Sequence, residues 1–205
     1  MLHLETIEPR TLDLLRRVQA LPELQSCRLV GGTALALQIG HRKSVDLDLF
    51  GQVSATPLEL EASMSTLGNL EVRKNSGSMH LFVLDDIHID IVDYPFPWRQ
   101  DMVSESGLRL AGVEDIAAMK INAIIGRGTK KDFVDVSTLL NHFTLEQMLS
   151  FYESKYPNSS IFMALKSLSY FDDAEMQPMP YMFTELTWEQ VKHSVIAAID
   201  SYAMP

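Results

Sequence analysis

The chain has 205 residues, 46% hydrophobic and 21% charged, with a formal net charge of −10. That length and balance suit one large domain or two small ones around a real buried core, and they argue against the broad, salt-driven nucleic-acid binding that needs a concentrated basic face. The acidic opening Met-Leu-His-Leu-Glu-Thr-Ile-Glu lacks a long apolar run, so neither a signal peptide nor a membrane span is expected, and the location reads as cytoplasmic.

Leu12, Leu15 and Val18 recur at helical spacing after Pro9, which predicts a first helix over residues 9–20. Residues 27–30 read as a short strand that starts at the single cysteine, Cys27, a buried structural thiol with no partner for an intrachain disulfide. Gly31-Gly32 makes the sharp turn into a helix over 33–39, which Gly40 closes. A second strand covers 45–50, and Thr56-Pro57 caps a further helix with acids in its first turn. Alternation then predicts strands over 70–74, 79–84 and 87–92, the last two joined across Asp85-Asp86. The prolines of Tyr94-Pro-Phe-Pro-Trp98 should end the sheet, because they cannot supply ladder donors. From residue 112 onward the pattern is helical, over 113–125, 131–141, 145–153, 161–171 and 188–202, with the Pro-rich loop 176–180 between the last two. The scattered methionines read as core filler, and neither a repeat nor a low-complexity run appears. The expected class is α/β in the α+β sense: a mixed β-sheet with helices over residues 1–98, then a helical region over 99–205.

The chemistry concentrates around Asp46 and Asp48. Residues two apart on a strand share a face, so both carboxylates would project to one side while Val45, Leu47 and Leu49 enter the core. Two like charges held together are costly unless a cation relieves them, which points to a divalent metal. On the later strand Asp90 points away from Ile87, Ile89 and Ile91. Beside the Asp46 strand it would complete a three-carboxylate oxygen site of the kind Mg²⁺ prefers. Asp85, Asp86 and Asp93 are rivals, placed lower because they read as turn and strand-end residues. Gly31-Gly32 before a helix lets the backbone approach a phosphate, with Thr33 able to add a hydroxyl. The clusters His41-Arg42-Lys43 and Arg127 with Lys130-Lys131 read by themselves as solvated loop charges. His80 and His88 read as solvent-facing strand histidines, and Ser44 and Ser104 lack a visible partner base.

These residues resemble a known family. Gly31-Gly-Thr followed by Asp46-x-Asp48, with a third carboxylate at Asp90, resembles the DNA polymerase β-like nucleotidyltransferase superfamily. Within it, Gly31-Gly-Thr-Ala-Leu-Ala-Leu, Arg42-Lys-Ser-Val-Asp-Leu-Asp-Leu-Phe, Glu114-Asp-Ile-Ala-Ala-Met-Lys-Ile-Asn-Ala-Ile and Lys131-Asp-Phe-Val-Asp resemble the AbiEii/AbiGii toxin-like proteins. The resemblance implies a nucleotidyltransferase-like sheet core, with the helical region completing the active-site cleft. It implies Mg²⁺ (or Mn²⁺) on Asp46, Asp48 and Asp90, and a nucleoside triphosphate held by Gly31, Gly32, Thr33, Arg42, Lys131 and Asp132. Lys120 matches the motif lysine of the helical half, placed with the catalytic residues, and Asp135 matches the last position of the Lys-Asp-x-x-Asp element.

The function expected is transfer of a nucleoside monophosphate to a tRNA end, a protein hydroxyl or a small molecule. The resemblance makes it a toxin-like component of a toxin–antitoxin or phage-defence system, with a cognate antitoxin as partner. Two alternatives remain: a non-catalytic nucleotide- or protein-binding module on the same fold, and an antitoxin-like enzyme adding AMP to a partner protein. Retention of all the candidate carboxylates speaks against the first.

Overall fold

Alternation of Leu47 and Leu49 with Asp48 and Phe50 makes one side of a strand apolar, and the first half of the chain is built around that side. The computed structural model describes residues 1–203. The chain forms two compact units, one of Met1–Phe96 with Asp101–Ala111 and one of Pro97–Gln100 with Gly112–Pro205.

In the first unit, strands β1 (Arg28–Val30), β2 (Leu47–Gly51), β3 (Leu70–Ser76), β4 (Met79–Leu84), β5 (Ile87–Asp93), β6 (Val103–Glu105) and β7 (Leu108–Leu110) form a seven-stranded sheet. Its order is β3-β4-β5-β2-β1-β7-β6. The sheet is mixed, as expected: β2 runs parallel to β5 and β1 to β7, while the other neighbours are antiparallel. Its apolar face carries Leu29, Leu47, Leu49, Phe82, Leu84, Ile89 and Ile91, all fully buried, each contributing about 1.5–3 kcal/mol. Three helices pack on the strands: α1 (Pro9–Ala20) on β7, α2 (Gly31–Ile39) on β1 and β2, and α3 (Pro57–Ser65) on β3. The cap predicted at Thr56 forms in full: its hydroxyl accepts from the Glu59 amide at 3.4 Å, and the Glu59 carboxylate accepts from the Thr56 amide at 2.8 Å.

Four sequence expectations fail here for physical reasons. The sheet does not end at the prolines, because Ser106 and Gly107, both at positive φ (55° and 76°), form the tight turn of a β6–β7 hairpin. Arg109 on β7 then donates to the carbonyls of Gln19 (2.6 Å) and Leu24 (3.0 Å), contacts too distant in sequence to be read from pattern. Val45 is 55% exposed, since β2 begins only at Leu47 and alternation has no meaning before it. His80 is buried rather than solvent-facing, with Nδ1 2.6 Å from Asn75 Oδ1, while His88 lies on the opposite, exposed side. The methionines are only partly core: Met64 and Met148 are buried, whereas Met79, Met163 and Met176 are exposed.

The second unit contains α4 (Val113–Gly126), α5 (Lys130–Leu139), α6 (Leu145–Lys155), α7 (Ile161–Leu168), the single turn α8 (Asp172–Glu175) and α9 (Trp188–Ala203). Its core includes Ile116, Ile121, Phe133, Val136, Met148 and Val191. Pro97–Gln100 belongs to it through a buried ion pair: Lys155 Nζ lies 2.7 Å from Asp115 Oδ1 and donates to the Pro97 carbonyl at 2.8 Å. Asp115 also accepts from the amides of Arg99 and Gln100, each at 3.0 Å.

Candidate active site

Asp48 on β2 and Asp90 on β5 stand at the same register of two parallel neighbours, so their side chains leave the sheet side by side on the face opposite the apolar core. Asp46 lies two residues upstream, at the entrance to β2, and all three are half-buried. The helix α2 begins at Gly31 itself, not at Thr33 as the sequence suggested. Gly31 has φ +67°, and a Cβ there would collide with the Asp48 carboxylate. Both the backbone conformation and the close approach require glycine. The first-turn amides of α2 therefore border one of the paired carboxylates, an arrangement suited to phosphate beside a metal.

Among the described residues, no group of three or more His, Cys, Asp or Glu side chains is gathered into a ready-made metal cage. The donors present suit Mg²⁺ nonetheless, because that ion is typically held by one or two carboxylates and completes its octahedron with substrate phosphates and water. Asp48 and Asp90 supply such a pair, with Asp46 adjacent.

Thr33 is 1% exposed, and its hydroxyl meets the Asp46 carbonyl and the Ser44 hydroxyl. Ser44, which had no partner in sequence terms, thereby joins the surroundings of the carboxylates. His41 and Arg42 are buried rather than solvated, each 3% exposed, and Arg42 donates to the Lys43 carbonyl at 3.0 Å. No local pattern could have revealed that burial.

In the second unit Lys120 is buried between two acids, 2.8 Å from Asp132 and 2.6 Å from Asp135. Arg127 follows the last residue of α4 and brings Nε to 3.1 Å from Asp132. Lys131 is exposed. Thus Lys120, Asp132 and Asp135 come together as one cluster, and Lys131 projects to solvent. Burial raises the Asp132 pKa, but the charges of Lys120 and Arg127 outweigh it and bring the carboxyl from the ordinary 3.8 down to about 2. A folded pKa below the unfolded one stabilises the fold above pH 4, and that contribution disappears as pH falls through 2. The unfolding free energy of the wild type should therefore exceed that of Asp132→Asn by roughly 2 kcal/mol at pH 6, and the gap should close towards pH 2. Urea titrations of both proteins across that range check it.

Other chemistry-bearing residues stay apart. Burial pushes the Cys27 thiol up to about 12, which suits a structural role. His80 and His88 lie on opposite faces and cannot share a metal. The helical unit holds a cavity of about 520 Å³ bordered by Arg127, Lys166 and Tyr170, and another of about 700 Å³ bordered by Phe143, Leu145 and Tyr202; neither includes the paired carboxylates.

Residues 13–201 match the family model described as nucleotidyl transferase AbiEii toxin, type IV TA system. The chain belongs to the AbiEii family. It is accordingly a nucleotidyltransferase of a toxin family, and the match runs through both units. A relative in Aquifex aeolicus (strain VF5), the uncharacterized protein aq_aa25, is 30% identical over 196 residues, covering 93% of this chain and 94% of that protein. Similar folds occur in JHP933 of Helicobacter pylori (TM-score 0.58, 15% identity, 95% and 92% of the two chains). A second H. pylori protein, described as a candidate nucleotidyltransferase, has a TM-score of 0.61 at 17% identity, with 95% of each chain covered. MenT4, the nucleotidyltransferase toxin Rv2826c of Mycobacterium tuberculosis H37Rv, has a TM-score of 0.59 at 11% identity, with 92% and 81% covered. No helix among the described residues of this AbiEii protein is long and apolar enough to cross a membrane.

Proposed function

We propose that this AbiEii protein transfers a nucleoside monophosphate from a nucleoside triphosphate to an acceptor hydroxyl, in a reaction dependent on Mg²⁺ or Mn²⁺. The observation that carries this reading is the shared register of Asp48 and Asp90 beside the glycine-led first turn of α2. In it, Asp46, Asp48 and Asp90 hold the cation, and the Gly31, Gly32 and Thr33 amides receive triphosphate oxygens. A bound divalent ion supplies Lewis-acid polarisation of the α-phosphate and neutralises the leaving pyrophosphate. Asp90 takes up the proton of the attacking hydroxyl, whose oxygen bonds to the α-phosphorus as the bond to pyrophosphate breaks. Arg42 is assigned to the nucleotide. Lys120, Lys131 and Asp132 are assigned to the same function by family resemblance alone.

Membership of a toxin family supports a role as the toxin of a two-gene system with a cognate antitoxin, acting in the cytoplasm. The acceptor is a tRNA end, a protein hydroxyl or a small molecule. Incubation with each α-labelled triphosphate and Mg²⁺, in the presence of total tRNA, lysate protein or a small-metabolite extract, should label one of these pools and lose the label with EDTA. Absence of a labelled product with every triphosphate and every pool would overturn the proposal.

A further inference from the structure

We infer that Thr33 is a positioning residue, whose buried hydroxyl fixes the entrance of β2 so that Asp46 and Asp48 stay on the metal face. The inference rests on the metal site proposed above. It also changes the part expected of the Thr33 hydroxyl from the sequence, which was contact with the triphosphate. At 1% exposure, that side chain is turned into the protein. A threonine hydroxyl has one proton, and a backbone carbonyl can only accept. The proton therefore goes to the Asp46 carbonyl, and the Ser44 hydroxyl, 2.8 Å away, supplies the complementary donor.

The chain of bonds continues beyond Ser44. The Ser44 amide donates to the Thr6 carbonyl at 3.0 Å, the Thr6 hydroxyl to the His3 carbonyl at 2.7 Å, and the His3 amide to the Leu37 carbonyl at 2.7 Å. That circuit starts in the first turn of α2 and returns to the last turn of the same helix, enclosing the segment that delivers the aspartates. The first turn of α2 thus holds the β2 region at two levels, Gly31 against the Asp48 carboxylate and Thr33 on the Asp46 backbone. Asp48 lies on β2, where side chains alternate with a period of two, so a one-residue slip at the strand's entrance would turn its carboxylate into the core. Partners that orient metal ligands in this way typically change metal affinity or activity by about 10–100-fold when removed.

The test compares Thr33→Val, which keeps the shape and loses the hydroxyl, with Thr33→Ser, which restores it. Asp48→Asn serves as the reference for a lost ligand. Binding of Mn²⁺ alone, followed by electron paramagnetic resonance, should weaken about tenfold or more in Thr33→Val and stay close to wild type in Thr33→Ser. In turnover, Thr33→Val should lower kcat more than it raises the nucleotide KM, whereas loss of a direct phosphate contact would mainly raise KM. Thr33→Ala, which also removes the hydroxyl, carries the same comparison where Thr33→Val fails to fold. Wild-type Mn²⁺ affinity in Thr33→Val, alongside a defect in Asp48→Asn, would overturn the positioning role and leave the metal site standing. Equal Mn²⁺ affinity in the wild type and Asp48→Asn would overturn the metal site and the positioning role together.

Discussion

Asp48→Asn is expected to lower nucleotide transfer by about a thousandfold or more while the sheet remains folded. Asparagine matches aspartate in size, so the close approach to Gly31 and the register with Asp90 are kept. What disappears is the negative charge that would hold the cation, and the polarisation of the phosphate by that cation is worth several kcal/mol of transition-state stabilisation. Each 1.36 kcal/mol is a factor of ten in rate. Removing one of two adjacent like charges should leave the unfolding free energy unchanged or raised by less than about 1 kcal/mol. Loss of transfer without loss of stability separates a functional carboxylate from a structural one. Asp93→Asn, at the exposed end of β5, is the matched control and should transfer at the wild-type rate. Equal activity of Asp48→Asn and wild type, measured with the same labelled triphosphate, would count decisively against the proposed site.

The second large effect is on stability. Lys155→Met should cost about 3–5 kcal/mol of unfolding free energy, the usual consequence of leaving one partner of a buried ion pair uncompensated. Both side chains of the Lys155–Asp115 pair are 0% exposed, and Lys155 also lies 4.4 Å from the centre of the Trp98 ring. The Pro97–Gln100 segment depends on this pair, because Asp115 binds the Arg99 and Gln100 amides and Lys155 binds the Pro97 carbonyl. Asp115→Ala should be worse than Lys155→Met, since it takes the counter-charge from a buried ammonium and the carboxylate acceptor from two backbone amides at once. Urea denaturation gives the magnitude, and hydrogen exchange at Arg99 and Gln100 should report the loosening first. A Lys155→Met protein as stable as wild type would show that the pair contributes nothing net.

Much of the sheet unit was legible without a structure. The strands around Leu49, Phe82 and Ile89 announce themselves by period-two alternation, and the α3 cap by Thr56, Pro57 and Glu59, because these signals depend on neighbours only a few residues apart. The β6–β7 hairpin was missed although Ser106-Gly107 is a turn dipeptide, since three-residue strands give alternation too little length to register. The buried His80 was misjudged although alternation sets it on the face of Phe82 and Leu84, because an imidazole suggests solvent; Asn75, paired with it across the β3–β4 hairpin, supplies the partner that lets it be buried.

The candidate site divides in the same way. Asp46-x-Asp48, Gly31-Gly32 and the separation of Asp90 from its isoleucine neighbours are properties of short segments, so the sequence alone singled out these residues as candidates and determined the sheet face of Asp48 and Asp90. Bringing Asp90 level with Asp48 required the parallel pairing of β2 with β5, a choice made by burial of the common apolar face rather than by any residue between them. The same holds for the partners that restrain the charges. Thr33 reaches Asp46 across thirteen positions, and Lys120 reaches Asp132 across twelve. Those contacts depend on the course of the whole chain, and only the tertiary structure decided them.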